Sequence, residues 1–296
     1  MPKLILFINM NVLVTGGNGQ LGSEVKFITK LLPELEFQFH DIDTLNLLDE
    51  KLLSEYFNEN KPDFVINCAA YTAVDKAEED KEEAHKGNVV AVKNLINECL
   101  RFNTYFIHIS SDYVFDGHNY KPYTEDDKVN PVSEYGKSKL LGEQEALKYN
   151  KSVVLRTSWL YSSYGNNFVK TMIRLGNEKE SLGVKVDEVG TPTYAADLAW
   201  AIIHIISITV KEKKSFIPGI YHYSNEGVCS WFDFTKAIHE IKGIQCNVFP
   251  IETKDFPLPA KRPQYSVLNK SKIKKTFGLE IPYWRDSLIK CLKKIQ

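Results

Sequence analysis

The chain has 296 residues, of which 43% are hydrophobic and 25% are charged, and its 37 basic and 38 acidic side chains leave a formal net charge of −1. This composition is typical of a globular protein and excludes fibrous, low-complexity and disordered classes. Because there is no basic excess, we expect neither nucleic acid nor an anionic membrane surface as a partner. At roughly 150 residues per domain, the length predicts one large domain or two smaller ones.

The cysteines and the apolar runs indicate the cellular compartment of the protein. No cysteine belongs to a CxxC pair or to a Cys/His cluster of metal-ligand spacing, so we predict reduced, buried thiols in a cytoplasmic protein. The apolar runs fall well short of the roughly 20 residues that span a bilayer. No cleavage-site pattern follows the start, and Met10 directly precedes a predicted strand, so we interpret residues 1–9 as an extension of little role. The cysteines are Cys68, Cys99, Cys229, Cys246 and Cys291.

Short apolar strands alternate with amphipathic helices through the first half of the chain. The predicted strands are 11–15, 35–40, 64–67, 105–109 and 152–156. The predicted helices are one with apolar residues at Leu21, Val25, Ile28 and Leu31, then 50–58, 89–100 and about 133–148. Because this alternation requires βαβ crossovers, it predicts an α/β fold with a Rossmann-like doubly wound parallel sheet.

Beyond Trp159 the alternation loosens, and we predict a smaller C-terminal substrate-binding lobe. An amphipathic helix follows Ala195, a strand covers 220–224, and a helix opens at Ser230 with Asp233 three residues on, as in a capping box. A charge run at 211–214 is predicted to be solvated. The predicted division gives 10–158 and 184–224 to a dinucleotide-binding domain, and 159–183 and 225–296 to the lobe.

A glycine cluster separates the first strand from the first helix. Gly16, Gly19 and Gly22 form GxxGxxG there. Small residues allow a sharp turn, close approach of the backbone to a pyrophosphate and tight packing of helix on sheet. The helix N-terminus then offers free N–H groups to the phosphates. Asp41 ends the next strand about 20 residues on, where a carboxylate binds a ribose 2′-OH and repels a 2′-phosphate. The pattern predicts a dinucleotide site and favours NAD, although it leaves NADH and NADPH both open.

Three side chains with reductase chemistry follow. Tyr135 and Lys139 are four residues apart in a predicted helix and so share one face. Ser111 follows a strand that ends at the carboxyl edge of the sheet, where open α/β sheets bind ligands. Reduction of a carbonyl by hydride builds charge on oxygen, which a proton donor must neutralise. We predict that Tyr135 gives the proton, that Lys139 lowers the pKa of the phenol and binds ribose, and that Ser111 orients the carbonyl.

With these motifs the sequence resembles the extended short-chain dehydrogenase/reductase superfamily and, within it, the dTDP-4-dehydrorhamnose reductase family. The similarity runs from Met10 to near the C-terminus. Its most specific stretches are NVLVTGGNGQLGSE (11–24), NCAAYTAVDKAE (67–78), SSDYVFDG (110–117), YGKSKLLGE (135–143), RTSWLY (156–161), GNNF (165–168), GTPT (190–193), GIYHYSNEG (219–227) and RPxxSxL (262–268).

The resemblance implies further roles for individual residues. For cofactor binding it implies Gly16, Gly19, Gln20, Leu21, Gly22, Asp41, Asn46, Leu47, Ala70, Tyr71, Thr72, Ile109, Tyr135 and Lys139. For the sugar nucleotide it implies Val74, Ser111, Asp112, Tyr113 and Trp159, with Arg262 at the diphosphate. Ser111 stands where threonine is common, and Asn46 replaces the usual acid. Some relatives hold an interfacial Mg²⁺ through glutamates; Glu24 matches one of these, but Ala196 stands where another would be, so we expect no metal.

The resemblance therefore implies an enzyme that reduces the C4 ketone of dTDP-4-dehydrorhamnose to dTDP-L-rhamnose with NADH or NADPH. Two alternatives stay open. One is a reductase or epimerase acting on another nucleotide sugar, because the sugar-binding lobe is the part of the sequence with the weakest pattern. The other is a non-catalytic regulatory subunit that binds a dinucleotide. A monomer or a homodimer is expected.

Overall fold

A computed structural model describes residues 10–29, 35–211 and 216–295. The strands are β1 (Met10–Thr15), β2 (Leu35–His40), β3 (Phe64–Asn67), β4 (Tyr105–Ser111), β5 (Ser152–Thr157), β6 (Leu160–Tyr161), β7 (Ser181–Lys185), β8 (Val189–Gly190), β9 (Thr193–Tyr194), β10 (Gly219–His222), β11 (Cys229–Ser230) and β12 (Asn247–Ile251). The helices are α1 (Gln20–Thr29), α2 (Glu50–Asn60), α3 (Lys81–His85), α4 (Ala91–Phe102), α5 (Glu134–Leu147), α6 (Phe168–Glu178), α7 (Ala195–Lys211), α8 (Trp231–Lys242), α9 (Ser271–Phe277) and α10 (Trp284–Leu292). A π-helical turn (Lys86–Val90) joins α3 to α4, and a 3₁₀ turn (Asp112–Val114) follows β4.

The main sheet has six parallel strands in the order β10-β5-β4-β3-β1-β2. From β1 the chain crosses to β2 at one edge, whereas β3, β4 and β5 are added in the opposite direction. The point where the direction reverses lies between β1 and β3, and open α/β sheets bind ligands in the crevice there. This architecture confirms the predicted Rossmann-like doubly wound fold.

Helices cover both faces of this sheet, so the inner strands β1, β3 and β5 carry unbroken apolar runs. Val12 and Val14 face the layer of α1 and α7, and Leu13 between them faces α2 and α4, as the two-residue period of a strand requires. The predicted apolar face of α1 is confirmed, since Leu21, Val25 and Ile28 are all buried.

A second core lies at the C-terminal side of the structure, where α6 and α10 pack on α8. Short strand pairs, β7 with β12 and β8 with β11, border it. Helix α8 begins with the predicted capping box, in which Ser230 and Asp233 bond each other's backbone N–H. The proposed limits of the two units remain a prediction; the limit at residues 183/184 falls inside β7.

Several local predictions need correction. The helix predicted at 89–100 is the end of a longer helical segment, because α3 and a π-helical turn precede α4. The strand predicted at 220–224 ends earlier, at His222. All five cysteines are free, but Cys68 and Cys246 are only partly buried.

The predicted extension at 1–9, Leu31 and residues 212–214 of the charge run lie outside the described residues. Within the described ranges, no helix is both long and apolar enough to cross a bilayer.

Candidate active site

The glycine loop after β1 forms a concave backbone surface, a cradle that residues larger than glycine would fill. Gly16 has a left-handed φ of +66°, and a Cβ there would lie 2.7 Å from the backbone nitrogen of Ala69. A Cβ on Gly22 would overlap the carbonyl oxygen of Gly16. The Gly19 N–H donates to that same oxygen at 3.1 Å, and α1 begins at the next residue. The cradle and the free N–H groups of a helix start fit a pyrophosphate.

Two predicted cofactor-binding residues, Gln20 and Leu21, contact other parts of the protein through their side chains. The side chain of Leu21 is buried in the core, so only its backbone faces the loop. The Oε1 atom of Gln20 accepts a hydrogen bond from Nδ2 of Asn167 at 3.0 Å. The segment before α6, which carries Asn167, therefore lies against the glycine loop.

Asp41 lies beside the glycine loop, as predicted from its position after β2. Its Oδ2 accepts a hydrogen bond from the Asn18 N–H at 3.0 Å, and its Oδ1 accepts one from the Ile42 N–H at 3.1 Å. The carboxylate is therefore fixed next to the loop at the edge where a ribose would follow a bound pyrophosphate.

Asn46 and Leu47, the predicted adenine neighbours, lie in the turn that leads to α2. The Asn46 side chain accepts from the N–H of Leu48 at 3.0 Å, and the Leu47 carbonyl accepts from Nδ2 of Asn94 at 3.0 Å. The Leu47 side chain is buried in the core.

The segment after β3 carries Ala70, Tyr71 and Thr72, of which Thr72 is exposed and the other two are partly buried. Asn88 in the π-helical turn holds this segment, because its side chain accepts from the Tyr71 N–H at 2.9 Å and donates to the Tyr71 carbonyl at 3.1 Å. It also donates to the hydroxyl of Ser138 on α5 at 2.9 Å. Sequence reasoning missed Asn88, because nothing in its neighbourhood distinguishes it from a polar residue on a helix surface.

Helix α5 brings the predicted tyrosine and lysine to β4. The Ser133 hydroxyl caps the helix by accepting from the Gly136 N–H at 3.2 Å. A Cβ on Gly136 would overlap the carbonyl oxygen of Tyr113, so the helix start approaches the 3₁₀ turn closely. The ring of Tyr135 packs edge-on against that of Tyr113, with centroids 5.4 Å apart. One turn further, Nζ of the buried Lys139 donates to the carbonyl oxygen of Ile109 at 2.7 Å.

Ser111, at the end of β4, completes the cluster. Its hydroxyl donates to Oδ1 of Asp112 at 3.0 Å and accepts from the Tyr113 N–H at 3.1 Å. The same hydroxyl lies close enough to Tyr135 to lower the pKa of its phenol. The structure thus brings the predicted Ser–Tyr–Lys trio together at the carboxyl edge of the sheet.

Burial controls how these groups titrate. Removal from water raises the pKa of Tyr135 to about 12, which the Ser111 hydroxyl opposes and the charge of Asp112 reinforces. Burial lowers the pKa of Lys139 to about 8, against the favourable charge of Glu143. The predicted lowering of this pKa by Lys139 stays a prediction, since burial is the largest influence on the phenol here.

Behind the trio lies a buried ion pair that the sequence did not reveal. Glu143, one turn beyond Lys139, accepts from Nε and an Nη atom of Arg156 at 2.9 and 2.8 Å. The Ser110 hydroxyl donates to the same carboxylate at 2.5 Å. Because Glu143 is on α5 and Ser110 is next to Ser111, this contact fixes the helix to the end of β4. The spacing of eight residues from Tyr135, which places Glu143 on the same helix face, is the sequence signal that could have identified it.

Of the predicted sugar-binding residues, Trp159 packs against the C-terminal lobe. Trp159 has a left-handed φ of +47° and stacks on Trp231 with ring centroids 3.5 Å apart. The indole Nε1 of Trp231 donates to Glu188 at 3.2 Å, and Glu188 forms a buried ion pair with Lys185 at 2.6 Å. One face of Trp159 is therefore covered by an aromatic side chain rather than by solvent.

Arg262 lies beside the segment that follows Val74. Its guanidinium donates to both oxygens of Asp75, at 3.0 and 2.7 Å, and to the carbonyl oxygen of Ala260 at 3.0 Å. The positive charge also acts on the phenol of Tyr113. Asp75 was not predicted, because 187 residues separate it from Arg262.

The matched glutamate, Glu24, is buried on α1. It accepts from the Ser162 hydroxyl at 2.7 Å, and Nζ of Lys294 lies 3.8 Å from its other oxygen. Among the residues that the structure describes, no group of three or more His, Cys, Asp or Glu side chains is arranged to hold a metal ion. The expectation of no metal stays a prediction.

Fold and site together define a Rossmann-like reductase. The chain matches the family model described as RmlD substrate binding domain over residues 10–296. It is 39% identical over 289 residues to a dTDP-4-dehydrorhamnose reductase of Aggregatibacter actinomycetemcomitans, covering 94% of this chain and 96% of the relative. The chain belongs to the dTDP-4-dehydrorhamnose reductase family.

Solved structures agree with this assignment. A crystal structure of a dTDP-4-dehydrorhamnose reductase from Clostridium acetobutylicum superposes with a TM-score of 0.90 at 42% identity, covering 96% of this chain and 99% of the other. The Bacillus anthracis dTDP-4-dehydrorhamnose reductase, solved in complex with NADP, has a TM-score of 0.91 at 36% identity and covers 97% and 100%.

Proposed function

We propose that this protein reduces the C4 ketone of dTDP-4-dehydrorhamnose to dTDP-L-rhamnose, with hydride from NADH or NADPH. The observation that carries the proposal is the meeting of Ser111, Tyr135 and Lys139 at the sheet edge that also carries the glycine loop. Family membership supports the substrate, since relatives of 39% and 42% identity are named for it.

For the cofactor, the cradle at Gly16 and Gly22 holds the pyrophosphate, and Asp41 faces the adenosine ribose. A carboxylate at that position suits the 2′-OH of NADH. The relative from Bacillus anthracis was solved with NADP, which supports NADPH as well. The bound cofactor supplies the hydride.

In the proposed mechanism Tyr135 is the proton donor. Its raised pKa keeps the phenol protonated at neutral pH, as a donor requires. The alkoxide that forms on reduction is a stronger base than a phenolate, so the proton moves downhill. The ammonium of Lys139 stabilises the phenolate left behind and binds the nicotinamide ribose. Ser111 donates a hydrogen bond that orients the carbonyl oxygen.

The proposal also covers substrate binding, cellular compartment and oligomeric state. Val74, Asp112, Tyr113 and Trp159 line the sugar, and Arg262 binds the diphosphate as a bidentate donor. We also propose that the protein works in the cytoplasm, which its five free cysteines support, and that it acts as a monomer or homodimer.

Replacement of the phenol tests the mechanism directly. We expect Tyr135→Phe to reduce kcat by about 10²- to 10⁴-fold, the range for loss of a general acid. The dissociation constant of NADPH, measured by fluorescence, should change less than about twofold because the glycine loop is untouched. Tyr120→Phe is the matched control, since that ring is 89% exposed. Full activity in Tyr135→Phe would refute the proposed proton donor.

A further inference from the structure

The Ser111 hydroxyl has a single proton, and in this structure that proton is used. It is donated to Oδ1 of Asp112 at 3.0 Å, while the lone pairs of the same oxygen accept from the Tyr113 N–H at 3.1 Å. The proposed function, on which this inference rests, requires the same proton to reach the carbonyl oxygen of the substrate. A hydroxyl cannot donate one proton to two acceptors, so Asp112 competes with the substrate.

The surroundings of Asp112 make its charged form costly, so its hydrogen bond to the Ser111 hydroxyl depends on its protonation state. The residue is only 2% exposed, and its second oxygen, Oδ2, is buried without a hydrogen-bond partner in the described structure. A buried carboxylate with one oxygen unsatisfied is costly in its charged form. Burial accordingly raises the pKa of Asp112 to about 6, although the neighbouring hydroxyls of Ser266 and Ser111 favour the carboxylate.

We propose that Asp112 is a positioning residue that decides whether the Ser111 hydroxyl proton faces the carboxylate or the carbonyl oxygen of the substrate. As a carboxylate, Asp112 holds the proton through a charge-assisted hydrogen bond, and substrate binding must break that bond. As a neutral carboxyl group, it carries its own proton and loses that hold. Ser111 then donates to the substrate, and no proton is gained or lost by the reacting sugar through this step.

Ionisable groups from several elements surround Asp112. The charge of Asp112 raises the pKa of Tyr113, on its own 3₁₀ turn, and of Tyr135 on α5, and the charges of Arg262 and Glu188 act on the same Tyr113 phenol. Burial raises the pKa of both phenols, so both stay neutral in this range. The C-terminal segment contributes the hydroxyl of Ser266, which does not titrate.

The test is the pH dependence of kcat/KM for the keto sugar, from pH 5 to 9, at saturating NADPH. In the wild-type protein we expect kcat/KM to fall by about tenfold as pH rises through about 6, because a charge-assisted bond then holds the Ser111 proton. In Asp112→Asn the amide cannot ionise and its N–H₂ donates to the Ser111 oxygen. The step near pH 6 should therefore be absent. Asp126→Asn, at an exposed aspartate, should keep the wild-type profile.

A second variant protects the test against misfolding of the first. Ser266→Ala removes a neighbouring hydroxyl that lowers the pKa of Asp112, so the step should move to higher pH. A step near pH 6 that persists in Asp112→Asn, or a wild-type profile flat between pH 5 and 7, would overturn the proposal. Ser111→Ala distinguishes failure of the proposed function from failure of this inference. If that variant is fully active, the proposed role of Ser111 fails as well. If it is impaired, the pH profiles test the role of Asp112 alone.

Discussion

Lys139 lies inside the protein, and its ammonium donates to the carbonyl oxygen of Ile109. Burial lowers the pKa of this amine to about 8 from an ordinary value of 10.5. The charge that binds ribose and stabilises a phenolate is therefore present below pH 8 and lost as pH rises through that value. Tyr135 shows no opposite change in this range, because its own pKa is raised to about 12.

Because kcat/KM for the cofactor reports the free enzyme, we expect it to decline above a midpoint near pH 8. Lys139→Met should lower this constant by about 10²- to 10³-fold at pH 7, as for other electrostatic stabilisers, and should abolish the decline. Lys137→Met, on the exposed face of the same helix, provides the control. Persistence of the midpoint near pH 8 in Lys139→Met would assign it to another group.

The sequence could reveal the trio because local rules constrain it. The spacing of four between Tyr135 and Lys139 places them on one helix face, and Ser111 follows a strand that must end at the ligand-binding edge. The pKa of the phenol could not be predicted in the same way, since it depends on how much water the folded site excludes. Asp75 and Asn88 escaped prediction because their partners are brought to them only by folding.

At the scale of elements, α5 determines the geometry between the proton donor and β4. Three contacts fix it: the Gly136 backbone against the carbonyl oxygen of Tyr113, Lys139 on Ile109, and the carboxylate of Glu143 on Ser110. Each joins the helix to the last residues of β4 or to the turn that follows. A shift of α5 would thus separate Tyr135 from Ser111.

We expect Gly136→Ala to produce such a shift, because its Cβ would overlap the Tyr113 carbonyl oxygen. Overpacking of this kind costs about 1–3 kcal/mol, so the free energy of unfolding should fall by that amount and kcat should fall with it. Lys137→Ala, the neighbouring exposed position, should change stability by less than about 0.5 kcal/mol. Thermal unfolding and steady-state kinetics of both variants measure these changes. A wild-type kcat in Gly136→Ala would contradict the role of the start of α5 in positioning Tyr135.

The strands were the most predictable elements. The predicted limits of β2 and β3 agree with the structure, because the apolar and polar alternation of LEFQFH and the apolar run of FVIN are bounded by Pro and polar residues. The capping box of α8 was equally local. Helix α3 and the π-helical turn before α4 were not predictable, since most of their residues are polar or charged. Their position depends on packing against α5 and against the segment that follows β3.

Across the whole molecule, long-range polar contacts tie the C-terminal lobe to the nucleotide-binding side. Asn167 bonds Gln20 at the glycine loop, and Arg262 bonds Asp75 after β3. Arg262 therefore joins two parts of the chain that both border the crevice. A diphosphate bound by its guanidinium would replace or share the contact with Asp75.

We expect Arg262→Gln to raise KM for the nucleotide sugar by at least about tenfold, with kcat within about threefold, because diphosphate binding is equal in ground and transition states. The matched control is Arg285→Gln, which loses an ion pair with Glu240 on the surface of the same lobe. An unchanged KM, with only a loss of thermal stability, would show that Arg262 serves the contact with Asp75 alone.

The most direct test of the central claim is the loss of absorbance at 340 nm when the purified protein is mixed with NADH or NADPH and enzymatically generated dTDP-4-dehydrorhamnose. We predict rapid oxidation of the reduced cofactor, one equivalent per dTDP-L-rhamnose formed, with little oxidation when other keto-sugar nucleotides are supplied. The rates with the two cofactors establish which one Asp41 favours. Tight cofactor binding without oxidation in the presence of this substrate would contradict the proposed activity.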